Sequence, residues 1–137
     1  MKKFLITLFL TLLGLGAQAQ EVKAVYHLTT GIDTAMGVLG NIRNHLNADP
    51  KARIVLVANG DGVQFIVANA KDSKGREFAG VVSDLANRGV EFRICNNTLQ
   101  ARGIDPGKLL MEAKVVPSGV AEVAKLQSVE KFSYIKP

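Results

Sequence analysis

The sequence contains no tryptophan, a single cysteine, Cys95, and only two histidines, His27 and His45, among 137 residues. One cysteine cannot form a disulfide within the chain, so the fold must be held together by packing alone. A structural zinc site needs four closely spaced cysteine or histidine ligands, and this sequence has no such group. We therefore expect neither a disulfide-linked scaffold nor a metal site.

The chain also lacks any run of lysine and arginine. Its 17 basic residues stand against 12 acidic ones, for a net charge of +5, and they are scattered along the sequence. Nucleic-acid-binding proteins usually concentrate basic residues in a patch, often with aromatic side chains that stack on bases. This pattern is typical of an ordinary solvated surface, and we expect no nucleic-acid partner.

Phosphate- and dinucleotide-binding fingerprints are missing as well. The sequence has neither a G-x-G-x-x-G motif nor a P-loop, and the segment NGDG at residues 59–62 is an isolated turn signal. We expect no cofactor.

Only the N-terminus is continuously apolar. Residues 1–19, MKKFLITLFLTLLGLGAQA, begin with two lysines after the initiator, continue as an apolar run and end in Ala-Gln-Ala. This order predicts a secretory signal peptide cleaved after Ala19, although an uncleaved anchor is the alternative. The predicted product is a periplasmic domain of residues 20–137 with a net charge of +3 and no membrane attachment after cleavage.

Strand and helix patterns alternate through residues 20–137. Strands are predicted at residues 22–28, 53–58 and 90–95, in the segment 113–119 and in the final KFSYIKP. Helical periodicity is found within residues 31–50, 78–89 and 119–130, and residues 96–110 form a helical or irregular crossover. The alternation predicts a single Rossmann-like or flavodoxin-like α/β domain, with a mostly parallel five-stranded sheet and helices on both faces.

Residues 53–70 allow two interpretations. Two apolar runs around Asn59-Gly60 are typical of a hairpin. Alternatively, residues 59–62 form a loop that leads into a short helix at residues 63–70. We favour the helix because the rest of the chain alternates strand with helix.

Parallel sheets place their sites beyond the carboxyl ends of the strands. The segments that follow the predicted strands are small and polar, and we expect them to form a rim around any ligand. The rim candidates are Thr29, Thr30, Gly31, Asn59, Gly60, Ser118 and Gly119. Ser118 is also predicted to cap the helix that follows it.

Cys95 is the residue with the most distinctive chemistry. It ends the strand 90–95, and Asn96, Asn97 or Thr98 would cap a helix starting there, with the free N–H groups of its first turn facing the sulfur. Arg93 lies two residues earlier on the same strand face and would add a positive charge. Both features would lower the pKa of the thiol. The alternative is that Cys95 is a buried, inert small hydrophobic residue.

Several segments together resemble the DsrE-like (DsrE/DsrF-like) family of small α/β proteins. They are VYHLTTG, NIRNHLNADPKARIVLVANGDGVQFIV, DLANRGVEFRICNNTLQARGID and VVPSGVAEVAKLQ. The resemblance implies a Rossmann-like domain that forms homo-oligomers, whether dimers, trimers or hexamers. In sulfur-trafficking members the cysteine carries a persulfide, and Cys95 matches that position. The signal peptide suggests an exported branch of the family.

Two functions therefore remain open. The protein is either a sulfur carrier, which takes sulfur on Cys95 from a donor protein and passes it to an acceptor, or a non-catalytic homo-oligomeric module that binds a small ligand or a partner. In the second case Cys95 is structural. A carrier or a binding protein is favoured over a turnover enzyme.

Overall fold

The computed structural model describes residues 20–137 and contains five strands and four α-helices. The strands are β1 (Lys23–Leu28), β2 (Arg53–Ala58), β3 (Glu91–Cys95), β4 (Ala113–Val116) and β5 (Ser133–Ile135). The helices are α1 (Ile32–Ala48), α2 (Ala79–Asn87), α3 (Asn96–Ala101) and α4 (Gly119–Ser128). Two 3₁₀ helices, Gly60–Ile66 and Pro106–Lys108, lie in the crossovers.

The five strands form one sheet in the order β4-β3-β2-β1-β5, and every neighbouring pair is parallel. The chain steps across the sheet from β1 to β4, and then returns past three strands to place β5 beside β1. Because crossovers between parallel strands are right-handed, the returning connection must run over the opposite face. The prediction of an α/β fold with a parallel sheet and helices on both faces is confirmed.

One side of the sheet, which we call the helix-rich face, is covered by α1, the 3₁₀ helix Gly60–Ile66, α2 and α3. Its strand residues are almost all apolar and belong to the larger core cluster: Ala24, Tyr26, Leu28, Ile54, Leu56, Ala58, Phe92 and Ile94. Phe65, from the 3₁₀ helix, contacts the rings of Phe78 and Phe92 at centroid distances of 6.0 and 6.1 Å. This side supplies most of the buried apolar surface that stabilises the fold.

The other side, the α4 face, is covered by α4 together with the segment that follows it. Its apolar cluster is small, formed by Val25, Val55, Val57, Val123, Leu126 and Phe132. Since side chains alternate along a strand, the remaining positions of β3 on this face are Glu91, Arg93 and Cys95. The charged residues of β3 therefore lie on the α4 face.

The segment after β2 differs from both sequence interpretations. No hairpin forms, and the predicted helix at residues 63–70 is instead a 3₁₀ helix that begins earlier and ends sooner, Gly60–Ile66. The 3₁₀ helix ends at Ile66 because the backbone of Val67 is extended and forms an isolated β-bridge with Leu109. The helix also passes very close to β1, since a Cβ on Gly62 would lie 2.2 Å from the Leu28 carbonyl oxygen.

Within residues 20–137 no helix is both long and apolar enough to cross a membrane. The predicted signal peptide, residues 1–19, lies outside the described residues.

Candidate functional site: a buried cysteine between two helix N-termini

Cys95 ends β3 at the carboxyl edge of the sheet, on the α4 face, and its side chain is 5% exposed. It occupies the N-cap position of α3, which begins at Asn96. The sequence placed that cap on Asn96, Asn97 or Thr98, and this was wrong, because helical geometry starts directly after the cysteine. The consequence is that the sulfur is closer to the start of the helix than predicted.

The thiol has an altered acidity. Burial raises the pKa of Cys95, but hydrogen bonds to the sulfur lower the pKa by more, and the net pKa is below its ordinary value. The donors are the Thr98 hydroxyl and the backbone N–H groups of Gly119, Thr98 and Asn97. Hydrogen bonds to the charged form of a group favour that form, so the environment favours the thiolate.

These donors come from two different helices. Asn97 and Thr98 belong to the first turn of α3, whereas Gly119 is the first residue of α4. The first N–H groups of a helix have no partner within the helix and carry a partial positive charge. Two helix N-termini therefore converge on one sulfur atom, where the sequence had suggested only one.

Gly119 is needed for this convergence. A Cβ at this position would lie 3.1 Å from the Cβ of Cys95 and 3.2 Å from the Cβ of Asn59. Both distances are shorter than ordinary carbon–carbon contact, so any side chain here would push α4 away from the sulfur. Ser118 caps the same helix, as predicted, by accepting a hydrogen bond from the Ala121 N–H at 3.4 Å.

The Thr98 hydroxyl is itself oriented by the loop after β2. Its oxygen accepts a hydrogen bond from the Gly60 N–H at 3.1 Å. Because that oxygen is already an acceptor, its proton is free to be donated to the sulfur. Gly60 can hold this position because its φ of +57° lies in the left-handed region that glycine tolerates.

Arg93 does not direct its charge at the thiol. Arg93 as a whole is 7% exposed, and its guanidinium donates to Glu91 through Nε and Nη2, at 3.2 and 2.7 Å, and to Glu122 through Nη1. Glu122 lies in the first turn of α4. The groups that lower the pKa of Cys95 are neutral donors, so Arg93 instead fastens the start of α4 to β3.

The remaining rim candidates divide into two groups. Asn59 and Gly60 lie beside Cys95 through their contacts with Gly119 and Thr98. Thr30 and Gly31 do not join them. The Thr30 hydroxyl pairs with that of Thr34 at 2.6 Å, and Gly31 lines a separate shallow cleft of about 420 Å³ at the start of α1. Thr29 lies between the two groups, with its carbonyl oxygen 3.5 Å from the point where a Cβ on Gly60 would be.

Sequence reasoning missed a polar row on the α4 face. The Tyr134 hydroxyl and His27 Nδ1 are 2.9 Å apart, and His27 Nε2 is 2.8 Å from Asn59 Oδ1. The position of Asn59 was detectable, because it continues the alternation of Val55 and Val57. The contribution of Tyr134 was not detectable, because it depends on β5 pairing with β1.

The histidine of this row has a counterpart on the helix-rich face, where His45 Nδ1 and the Tyr26 hydroxyl are 3.0 Å apart. His45 lies in the last turn of α1, as expected for a residue that interacts with a helix C-terminus. Within residues 20–137 no group of three or more histidine, cysteine, aspartate or glutamate side chains is arranged to hold a metal ion.

The fold and this site define a class: a single parallel α/β domain with an acidified cysteine at the carboxyl end of its third strand. The DsrE/DsrF-like family model matches residues 15–137, and the chain belongs to that family.

Two solved structures are similar to this chain. A protein of unknown function, MTH1491 from Methanobacterium thermoautotrophicum, is 32% identical, with a TM-score of 0.76 over 85% of this chain and all of the other. The ychN protein of E. coli is 14% identical, with a TM-score of 0.65 over the same shares, and supports the fold alone. Among curated proteins none matches significantly.

Proposed function

We propose that this protein is a sulfur carrier that holds sulfur as a persulfide on Cys95. The observation that carries the proposal is the convergence of two helix N-termini and the Thr98 hydroxyl on one thiol, which lowers its pKa. A thiolate is the nucleophilic form of cysteine, and membership of a family linked to sulfur relay supports the same role.

The loading of sulfur onto Cys95 needs no external oxidant. The thiolate attacks the terminal sulfur of a polysulfide, so one sulfur–sulfur bond forms on Cys95 while another breaks in the polysulfide. The products are the anionic persulfide and a polysulfide shortened by one sulfur. Delivery to an acceptor thiolate is the same exchange in reverse, and regenerates the Cys95 thiolate.

The test is to incubate the purified protein with polysulfide and to measure its intact mass. We expect a gain of about 32 Da, the mass of one sulfur atom, which reductant removes and which the variant Cys95→Ser does not show. Absence of the gain in the wild-type protein would contradict the carrier function.

A second function is favoured by one observation, the 5% exposure of Cys95. In this alternative the protein is a non-catalytic module that binds a small ligand or a partner, and the thiol is structural. Alkylation separates the two. A carrier reacts with a small alkylating reagent in the folded state, whereas a structural thiol reacts only after unfolding.

We further propose that the protein forms homo-oligomers, with the open side of β4 at the interface. Within residues 20–137 this strand pairs only with β3, and exposed apolar side chains lie on it or near it: Met111, Val115 and Val120, which are 93%, 40% and 60% exposed. Edge strands of this kind are usually covered. Light scattering should give a multiple of the monomer mass at micromolar concentration, and a monomer mass would refute the proposal.

The proposed location is the periplasm, with a signal peptide cleaved after Ala19. Its support is the order of charged, apolar and small residues in the first 19 positions. N-terminal sequencing of the exported protein should begin at Gln20. An intact Met1 in the membrane fraction would show that the segment is an anchor.

A further inference from the structure

Four polar side chains form a diagonal row across the α4 face, and of these only Cys95 has a role in the proposed function. The row runs through Tyr134 of β5, His27 of β1, Asn59 after β2 and Cys95 of β3. Two hydrogen bonds join its first three members, at 2.9 and 2.8 Å. This row borders the valine cluster and stays partly exposed, with Tyr134 40% exposed.

The strand register accounts for the end of the row. Val57 is paired with Arg93 and Ala58 with Ile94, so the next step places Asn59 opposite Cys95. The Cβ atoms of Cys95 and Asn59 both lie close to Gly119, 3.1 and 3.2 Å from the point where its Cβ would be. The absence of a side chain on Gly119 therefore lets Cys95 and Asn59 lie next to each other at the first residue of α4.

We infer that Asn59 donates a hydrogen bond to the outer, transferred sulfur of the persulfide, and that His27 and Tyr134 are positioning residues that orient its amide. This inference rests on the proposed carrier function. The donors from α3, α4 and Thr98 already serve the inner sulfur. The outer sulfur bears the negative charge of the persulfide and needs a donor of its own.

The hydrogen bonds of the row fit an amide whose N–H₂ group faces Cys95. Among residues 20–137 the only hydrogen bond of the Asn59 side chain is the one through Oδ1 to His27 Nε2, so its N–H₂ group is free to donate. A neutral imidazole that donates from Nε2 must accept at Nδ1, and the Tyr134 hydroxyl is the donor there. The opposite orientation would present the amide oxygen to an anion and is disfavoured.

The experiment compares persulfide yield with thiol reactivity in the full-length protein. Each variant is treated with the same polysulfide, its persulfidated fraction is read by intact mass, and the alkylation rate of Cys95 is measured in parallel. Asn59→Ala should lower the yield about tenfold, because it removes a hydrogen bond to a charged group, and should lower the alkylation rate far less. Asn59→Asp should lower the yield further, since a carboxylate repels the persulfide anion.

The positioning residues are tested by rescue. His27→Ala should lower the yield about as much as Asn59→Ala, whereas His27→Gln should restore part of it, because a glutamine amide can also donate to Asn59 Oδ1. Tyr134→Phe should have a smaller effect in the same direction. His45→Ala is the matched control, since it removes a histidine–tyrosine pair of the same kind on the helix-rich face, and should leave the yield unchanged. Thermal melting checks that every variant is folded.

The outcomes separate this inference from the function on which it rests. If the wild-type protein gains no sulfur, the carrier function and this inference both fail. If the wild-type protein gains sulfur and folded Asn59→Ala gains as much, the carrier function stands and the role of Asn59 is refuted. If folded Asn59→Ala gains little sulfur while His27→Ala and His27→Gln give the same persulfide yield, the positioning role of His27 is refuted.

Discussion

The two faces of the sheet differ in the polarity of their side chains and in the number of helices that cover them. On β3, Phe92 and Ile94 point into the helix-rich core, while Glu91, Arg93 and Cys95 point to the α4 face. The helix-rich face is packed by four helical segments, whereas the α4 face has a small valine cluster surrounded by ion pairs and polar side chains. The comparison indicates that the helix-rich face contributes most of the stability of the fold, while the α4 face carries the candidate site.

The largest expected effect is on the helix-rich face. Phe92→Ala removes a ring that is 1% exposed and packs against Phe65, and should lower the free energy of unfolding by about 3–5 kcal/mol. Urea denaturation measures this loss. Cys95→Ala, on the opposite face of the same strand, is the comparison and should cost no more than about 1 kcal/mol. Equal losses from the two variants would contradict the division of roles.

A smaller loss is expected from the ion pairs of the α4 face. Arg93→Leu leaves Glu91 and Glu122 without their common partner and should lower the free energy of unfolding by about 2 kcal/mol. The double variant Arg93→Leu/Glu122→Leu should recover part of that loss. Full additivity of the single changes in this cycle would show that the pair is not coupled.

The same variant should alter the response to acid. Burial raises the pKa of Glu91, but hydrogen bonding and charge from Arg93, followed by the charges of Arg53 and Lys114, lower it by more. A carboxyl whose folded pKa is depressed stabilises the fold above its unfolded pKa, about 4.3 for glutamate, and loses that contribution as pH falls through the folded value. Arg93→Leu should therefore flatten the loss of stability below about pH 4. The pKa of Asp72 is also lowered, by its hydrogen bonds with Arg76. The contribution of Asp72 to the loss of stability in acid should therefore persist in Arg93→Leu.

Gly119→Ala should affect stability less and reactivity more. The added methyl group would contact Cys95 and Asn59, move the start of α4 outward and cost about 1 kcal/mol. Because the Gly119 N–H would then retreat from the sulfur, the pKa of Cys95 should rise, as measured by the pH dependence of alkylation. Gly40→Ala in α1 is the control: apart from the adjacent turns of its own helix, no atom lies within 4 Å of its added methyl group, and it should stabilise the helix by about 0.5–1 kcal/mol.

The smallest effect on stability is expected at Thr98. Thr98→Val keeps the shape of the side chain and removes the hydroxyl that donates to the sulfur, so the pKa of Cys95 should rise. The change also removes the acceptor of the Gly60 N–H and should cost about 0.5–1 kcal/mol. Thr98→Ser keeps the hydroxyl and should behave like the wild-type protein. Ultraviolet absorbance of the thiolate as a function of pH reads the difference. An unchanged titration in Thr98→Val would leave the backbone N–H groups as the relevant donors.

Local pattern was sufficient for most of the fold, because apolar alternation and helical periodicity are properties of short segments. Residues Arg53–Ala58 were bounded correctly, and the Ser118 cap was recognised from its place before a helix. The segment after β2 was not, because its 3₁₀ geometry depends on close passage of Gly62 over β1 and on the bridge between Val67 and Leu109. Both are contacts between distant parts of the chain.

The candidate site was likewise predictable from the sequence only in part. Cys95 and Thr98 stand out locally, because a thiol at a strand end before a polar segment suggests activation by a helix. The donation from Gly119 and the row through His27 and Tyr134 require the strand order β4-β3-β2-β1-β5, which no local pattern encodes. The same holds for Arg93, whose carboxylate partner on α4 becomes a neighbour only in the folded domain.

The convergence of α3 and α4 on the sulfur also has a consequence for the timing of synthesis. Cys95 and the first turn of α3 are made before β4, α4 and β5, and the parallel crossover that brings Gly119 back to the sulfur is among the contacts that form slowly. A nascent chain that has just exposed Cys95 therefore lacks the Gly119 donor. The sulfur acquires its full set of donors only when the C-terminal segment docks, so complete activation of the cysteine reports that the domain is complete.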